Sequence, residues 1–330
     1  MKPLSLGIIG FGRIGKIHLK NAIQMGNTKL KIIIDPLIEE TRILEYPDIK
    51  ISKDLSSLNR VGPINGIIIC SPSNYHLEHI KEASKITKNI FCEKPLGLSI
   101  DEIIEIKELI KEKNLNLHVG FNRRYDPDFH ELKQSISRGD IGTLRMIKIT
   151  SRDPSPPPIS YINKSGGLFL DMTIHDFDMA KFLADSEISN LYAKGGCFIN
   201  MDIKKANDID TAIINMKLEN GTLVTINNSR QAIYGYDQRV EVLGSKGTLK
   251  VDNRLLNRLK RGSKNGFISA NPQDFFIDRY KESYEVEILN FVSSMKNYHT
   301  NYANVDDGLH ALRAGLAAKE SIQNNSLVSI

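Results

Sequence analysis

The sequence predicts an α/β protein: a doubly wound parallel sheet, then an α+β domain with a large, mostly antiparallel sheet. Two patterns carry this expectation. Up to residue 122, short apolar runs alternate with helical periodicity, as parallel strands joined by crossover helices require. Beyond that point the apolar residues recur every second position, with tight-turn sequences between runs and one helix set among them.

"LSLGII" (4–9) reads as a short buried strand running into "GFGRIG", and "KIHLKNAIQM" (16–25) continues as a helix. "KLKIIID" (29–35) is a second strand ending in an acid. "INGIIICSPS" (64–73) runs from apolar residues into a polar loop, with "YHLEHIKEASKI" helical after it. "KNIFCEKPL" (88–96) and "LNLHVGFN" (115–122) are further strands, separated by the helix "SIDEIIEIKELIKEK". In the second part, "TLRMIKITSR" (143–152), "AIINMKL" (212–218), "LVTINNSRQ" (223–231), "RVEVLG" (239–244) and "TLKVD" (248–252) alternate as strands. "ENGT" and "GSKGT" join four of them into two hairpins. One helix is expected near 167–184, others near 278–298 and 306–324, and "DPSPPPISY" (153–161) reads as a loop reaching over something.

Composition narrows the class. The chain has 330 residues, 41% hydrophobic and 25% charged, which is globular rather than disordered. The net charge of +5 is modest, and the basic run "RLLNRLKRGSK" (254–264) lacks the aromatic residues that single-strand nucleic-acid binding favours. It reads as a solvated loop or helix face, so no nucleic-acid partner is expected. Cys70, Cys92 and Cys197 are too few and too scattered for a disulfide framework or a Cys-x-x-Cys metal site. No apolar run approaches the ~20 residues of a membrane span, and the first residues read as a strand rather than a signal peptide. A cytoplasmic protein without membrane contact is expected.

Gly10, Gly12 and Gly15 form G-x-G-x-x-G between a strand and a helix, and Asp35 closes the next strand twenty residues beyond Gly15. In that context the glycines allow a tight turn, close approach of a pyrophosphate and close helix–strand packing. The helix start, with Arg13 and Ile14, offers amide donors to phosphate. Asp35 can accept both ribose hydroxyls and repels a 2′-phosphate, which favours NAD; Arg42 is weak support for NADP. Ligands in such sheets lie past the carboxyl ends of the strands. Those ends bring in Ser71, Pro72, Asn74 and, beside a helix start, His76; then Glu93 and Lys94; then Arg123 and Arg124.

"GGLFLDMTIHDFDM" (166–179) places Asp171, His175 and Asp178 four and three apart among large apolar residues. On one helix they would share a side, with Phe182 one turn on. A helix-surface Asp–His contact is the plain alternative. His175–Asp178 lacks a third ligand at convincing spacing, so no metal is expected, and Asp178 is read as structural.

"FCEKPL" (91–96), "GFNRRYDP" (120–127), "GGLFLDMTIHDFDMAKFL" (166–183) and "RVEVLGSKGTL" (239–249), together with the N-terminal glycines, resemble the Gfo/Idh/MocA family of NAD(P)-dependent sugar and polyol oxidoreductases. "TSRDPSPPPISYI" (150–162) and "SRQAIYGYDQRVEV" (229–242) are most similar to its bacterial inositol 2-dehydrogenases. The resemblance implies a Rossmann domain over 1–122 and a substrate-binding and oligomerisation domain with an open-faced sheet over 123–330, the C-terminal helix packing back on the first. It implies a homodimer or homotetramer. It also implies catalytic roles for Lys94, Asp171 and His175, and ring-hydroxyl contacts for Arg123, Asp153 and Tyr236.

The chemistry expected is oxidation of a secondary hydroxyl of a cyclic polyol, with myo-inositol first. A weakly acidic alcohol calls for a base with pKa near neutrality, and imidazole supplies it with least tuning. His175 is the candidate base, Asp171 its orienting acid, and Lys94 the donor to the developing alkoxide. Lysine as base with histidine in support is the alternative. A related sugar or inositol dehydrogenase, a non-catalytic NAD- and sugar-binding regulator, and a net-neutral enzyme that retains NAD are the competing functions.

Overall fold

The computed structural model describes residues 2–38, 46–296 and 302–330; Arg42 lies outside them. The chain forms two compact units, Met1–Asn122 with Ser283–Leu312, and Arg123–Glu282 with Arg313–Ile330.

In the first unit β1 (Leu4–Ile9), β2 (Thr28–Ile34), β3 (Lys50–Ser52), β4 (Gly66–Ile69), β5 (Asn89–Glu93) and β6 (Asn116–Gly120) form one parallel sheet. Its order, β3-β2-β1-β4-β5-β6, reverses direction between β1 and β4. That reversal opens a crevice at the carboxyl ends of those two strands, where such sheets bind ligands. All four residues of β4 are buried, as expected of a central strand covered on both faces. The helices are α1 (Arg13–Gln24), α2 (His76–Ala83) and α3 (Ile100–Lys113). Ser99 and Glu102 close a capping box on α3, and Asn114 ends it in the left-handed region.

Residues 283–312, assigned by sequence to the second domain apart from a returning C-terminal helix, group with the first unit. The reason is apolar: Ile288, Phe291 and Val292 are buried in one cluster with Leu6, Ile8, Leu19, Ile33, Ile68 and Phe91.

The second unit begins with α4 (Pro127–Ser137), whose first turn is capped by Asp126. Then follow β7 (Leu144–Arg152), α5 (Ile159–Ser165), α6 (Gly167–Asp171), α7 (Ile174–Ala184), β8 (Ile188–Gly196), α8 (Met201–Lys205), β9 (Thr211–Leu218) and β10 (Leu223–Ser229). β11 (Asp237–Gly244), β12 (Thr248–Val251), β13 (Lys260–Ser263), β14 (Gly266–Ser269), α9 (Phe276–Arg279) and β15 (Val328–Ser329) complete it. The main sheet runs β12-β11-β7-β10-β9-β8-β15. Only β7 and β10 pair in parallel; the other neighbours are antiparallel. Strict alternation along β9 buries one face of that sheet and exposes the other.

Two sequence expectations differ from the structure. The single helix over 167–184 is two helices, broken at Met172–Thr173. The basic run 254–264 leads into the exposed β13–β14 hairpin rather than a loop or helix face. β3, β8 and β15 carry too little alternation to be read from sequence. Among the described residues no helix is long and apolar enough to cross a membrane.

Candidate active site

The glycine turn leaving β1 gives each glycine a distinct physical role. Gly10 has φ +92°, and a Cβ there would lie 2.5 Å from the carbonyl carbon of Cys70. A Cβ on Gly15 would lie 2.2 Å from the Gly10 carbonyl oxygen, so α1 packs on the turn only with glycine at that position. A Cβ on Gly12 would meet nothing within 4 Å. That position opens outward at the start of α1, which has neither a side-chain cap nor an acid in its first turn. A dinucleotide pyrophosphate fits such a cradle: open space at a helix start that carries no side-chain cap and no acid in its first turn. Arg13 and Ile14 form the first turn, Arg13 exposed. Asp35, just after β2, accepts the Phe11 N–H at 2.7 Å and the Leu37 N–H at 2.8 Å. Its carboxylate is therefore fixed beside the glycine turn, as ribose recognition requires.

The next strand ends are linked by histidine. His76 is fully buried, with Nε2 2.9 Å from the Ser71 carbonyl oxygen and Nδ1 2.8 Å from that of Pro95. The sequence placed it among the cofactor residues; its side chain ties two loops together. Burial lowers its pKa, against the opposing pull of those carbonyls. Ser71 Oγ is 2.8 Å from His79 Nδ1, while Pro72 and Asn74 are exposed beside it. Glu93, also assigned to the cofactor, has Oε1 2.7 Å from His18 Nε2, and its side chain is 12% exposed. Lys94 follows β5 and is part-exposed, with a cis peptide to Pro95.

In the second unit, the run 168–180 is buried except at Asp171 and His175. Asp171 ends α6. Its Oδ1 accepts from the Tyr161 hydroxyl at 2.9 Å and its Oδ2 from Arg230 Nη1 at 3.3 Å. His175 is the second residue of α7. The break between the two helices is held from elsewhere in the fold. The amides of Met172 and Thr173 both donate to the Leu168 carbonyl, and Thr173 Oγ1 donates to Asn228 Oδ1 at 2.7 Å.

Beside His175, Asp176 is fully buried and anchors α7 to the sheet. It accepts from Arg123 Nη1 (2.6 Å), Ser151 Oγ (2.6 Å) and Asn228 Nδ2 (2.8 Å). Arg123, expected at substrate hydroxyls, is thus 5% exposed with one arm on a carboxylate. Tyr236 is also buried, packed edge-on against Tyr280 at 6.1 Å, and burial pushes its hydroxyl pKa well up. Arg123, Asp153 and Asp176 all lie within electrostatic reach of Tyr236. Asp178 accepts a two-pronged contact from Arg124 (Nε at 2.9 Å, Nη2 at 2.5 Å), the structural role read from sequence.

Tyr161, Asp176 and Arg230 escaped the sequence reading. Asp176 stands next to His175, and a charged residue set inside an apolar run is the one signal the sequence offered. Arg230 offered none, because its partner is 59 residues away.

Residues 4–121 match the model of an oxidoreductase family with an NAD-binding Rossmann fold, and residues 129–250 match the GFO/IDH/MocA C-terminal domain. The chain is 44% identical to the uncharacterized oxidoreductase YrbE of Bacillus subtilis, over 100% of this chain and 97% of that one. It is 38% identical to the myo-inositol 2-dehydrogenase of Thermotoga maritima, over 99% and 98%. The crystal structure of scyllo-inositol dehydrogenase from Lactobacillus casei, with bound NAD(H) and scyllo-inositol, superposes with a TM-score of 0.92 at 30% identity, covering 99% of each chain.

Proposed function

Because this chain belongs to the Gfo/Idh/MocA family of NAD-binding oxidoreductases, we propose that it oxidises one secondary hydroxyl of a cyclic polyol, myo-inositol first, to the 2-keto product. The observation that carries this reading is the exposure pattern of α6 and α7. Asp171 and His175 alone reach the surface from a buried run, and Asp171 is held by two donors.

Gly10, Gly12, Gly15 and the first turn of α1 would hold the pyrophosphate of NAD, and Asp35 its ribose; when bound, the nicotinamide would supply the hydride acceptor. His175 takes the hydroxyl proton. Asp171 fixes the imidazole and stabilises the cation that forms. Lys94 donates a hydrogen bond to the oxygen as negative charge develops there; the reversed assignment, Lys94 as base, predicts a different pH limb. Tyr236, Asp153 and Arg123 recognise ring hydroxyls. Such polar pockets reject an analogue that lacks a hydroxyl far more sharply than apolar ones reject an extra methylene. The reading includes a cytoplasmic homodimer or homotetramer, with the three free cysteines suited to a reducing compartment.

The deciding experiment mixes purified protein with NAD and a panel of inositols and aldoses while following absorbance at 340 nm. A rise with at least one inositol is expected; silence across the panel overturns the proposal. His175→Ala should then lower turnover by about 10²–10⁴-fold while NAD binding persists.

A further inference from the structure

Arg230 is a large side chain that the fold buries almost completely, at 1% exposure. It follows β10, where its own N–H donates to the Asp210 carbonyl at 2.8 Å. Its guanidinium lies between two carboxylates at opposite ends of α6. Nη1 is 3.3 Å from Asp171 Oδ2, at the end of that helix, and Nη2 is 3.7 Å from Asp208 Oδ2. Asp208 in turn accepts the Leu168 N–H with both oxygens, at 3.0 and 3.1 Å, in the first turn of α6. One cation thus lies between the carboxylates at the two ends of the five-residue helix, hydrogen-bonded to Asp171 and in ion-pair range of Asp208.

Burying a guanidinium is unfavourable unless its charge is used, and a flexible apolar residue such as Met would occupy much of the same space. The charge acts on Asp171. An arginine and a tyrosine hydroxyl each donate to one of its oxygens, which together fix the plane of the carboxylate. We propose that Arg230 is a positioning residue for proton transfer: it holds the Asp171 carboxylate in one orientation so that Asp171 can hold the ring of His175. This rests on the dehydrogenase reading above. The other titratable groups in the neighbourhood are Asp208, which shares the cation; Lys319, which acts on Asp208 from the C-terminal helix; and Tyr161 and His175.

Arg230→Gln, which keeps a donor but loses the guanidinium, should lower kcat about tenfold or more while KM stays within about twofold. Arg230→Lys, which keeps a charged donor, should give intermediate turnover. A kcat in Arg230→Gln that falls only as the folded fraction falls would reduce Arg230 to a packing role and overturn the proposal.

A second readout separates this inference from the reading beneath it. In protein carrying 13C-labelled aspartate carboxyls, with the Asp171 signal assigned by its loss in Asp171→Asn, that signal is expected to move in Arg230→Gln at constant pH, because the carboxylate loses its guanidinium partner. Wild-type protein silent on every polyol defeats the dehydrogenase reading, while the carboxyl signal still decides for or against Arg230: one that stays in place overturns the positioning role. Should Arg230→Gln not fold, Arg230→Lys carries both measurements: lowered turnover with a displaced carboxyl signal is expected, and wild-type turnover with an unmoved signal counts against the guanidinium contact.

Discussion

His18 Nε2 lies 2.7 Å from Glu93 Oε1, joining α1 to the strand end that precedes Lys94 through one buried contact. Glu287 brings a further carboxylate to the same place, all three groups having ligand-capable atoms within 4.8 Å of one another. Phe91 and Tyr284 flank the His18 ring edge-on, at 5.2 and 5.8 Å. The space around Glu93 is tight, since a Cβ on Gly120 would meet its Oε2 at 2.9 Å. His18→Ala therefore leaves a buried carboxyl without its partner and a cavity beside it. A loss of about 1–3 kcal/mol is expected for the unsatisfied group, more if it is charged, with the cavity adding to it. Turnover should fall beyond what the folded fraction explains, because the backbone at Lys94 is less well fixed. Chemical denaturation alongside kcat measurements checks both.

Gly12 and Gly15 make opposite predictions although three residues apart in one motif. Gly15→Ala forces a methyl to 2.2 Å from a carbonyl oxygen, so α1 must shift. Thermal stability and NAD affinity should drop together. Gly12 has a backbone that alanine can adopt (φ −70°, ψ −159°) and nothing near its Cβ. Gly12→Ala should keep its melting temperature to within a few degrees, the ~1 kcal/mol scale of an altered cap. It should nevertheless weaken NAD, because in the proposed site the methyl would stand where the pyrophosphate approaches. Melting curves and NADH titration of both variants test the pair; equal stability losses would contradict it.

Much of the first unit was legible because its signals are local. The strands are apolar runs, the turn is three glycines at fixed spacing, and Asp35 closes the following strand. The site in the second unit was half legible. Asp171 and His175 stood out by residue type, but the continuous helix inferred from their spacing is broken by Thr173, whose hydroxyl bonds Asn228, 55 residues on. Pairings over such separations leave no trace in a local pattern. Arg123 illustrates the cost of that blindness. A strand-end arginine reads as a substrate contact, and only the fold reveals Asp176, 53 residues away, on one of its arms. The same holds for residues 283–312, whose apolar face identifies a buried helix but not the core that receives it.

Asp35 holds two backbone amides and, in the proposed function, the ribose as well; substitution can separate the two. Its oxygens accept two backbone N–H groups in the protein itself, so Asp35→Ala should weaken NAD and NADP alike through a looser glycine turn, and NAD further through the lost ribose contact. Asp35→Asn keeps an acceptor for those amides while removing the charge that repels a 2′-phosphate. The ratio of kcat/KM for NAD over NADP should therefore narrow in both variants, with overall activity better preserved in Asp35→Asn. An unchanged ratio in Asp35→Asn would show that the carboxylate charge does not choose the cofactor.

His118 gives the first unit a defined sensitivity to acid. It is 1% exposed, stacked on Tyr302 at 3.6 Å between ring centroids, with Phe291 edge-on at 5.2 Å. Its Nε2 lies 3.2 Å from Asn116 Oδ1, and no carboxylate opposes the burial that holds its pKa at about 3. The folded state therefore keeps His118 neutral, whereas the unfolded chain protonates it near pH 6.5. Its contribution to stability is fully present above pH 6.5 and is lost progressively as pH falls towards 3, by up to about 1.4 kcal/mol per pH unit. His76, whose pKa burial also lowers, adds to the slope with the same sign. His118→Gln keeps a neutral hydrogen-bonding side chain without the titration. Its unfolding free energy should be lower than wild type at pH 7 through poorer ring packing, yet fall less steeply between pH 6.5 and about 4.5, above the range where carboxylates take over. Parallel slopes for variant and wild type in that window would mean that His118 is not the group being protonated.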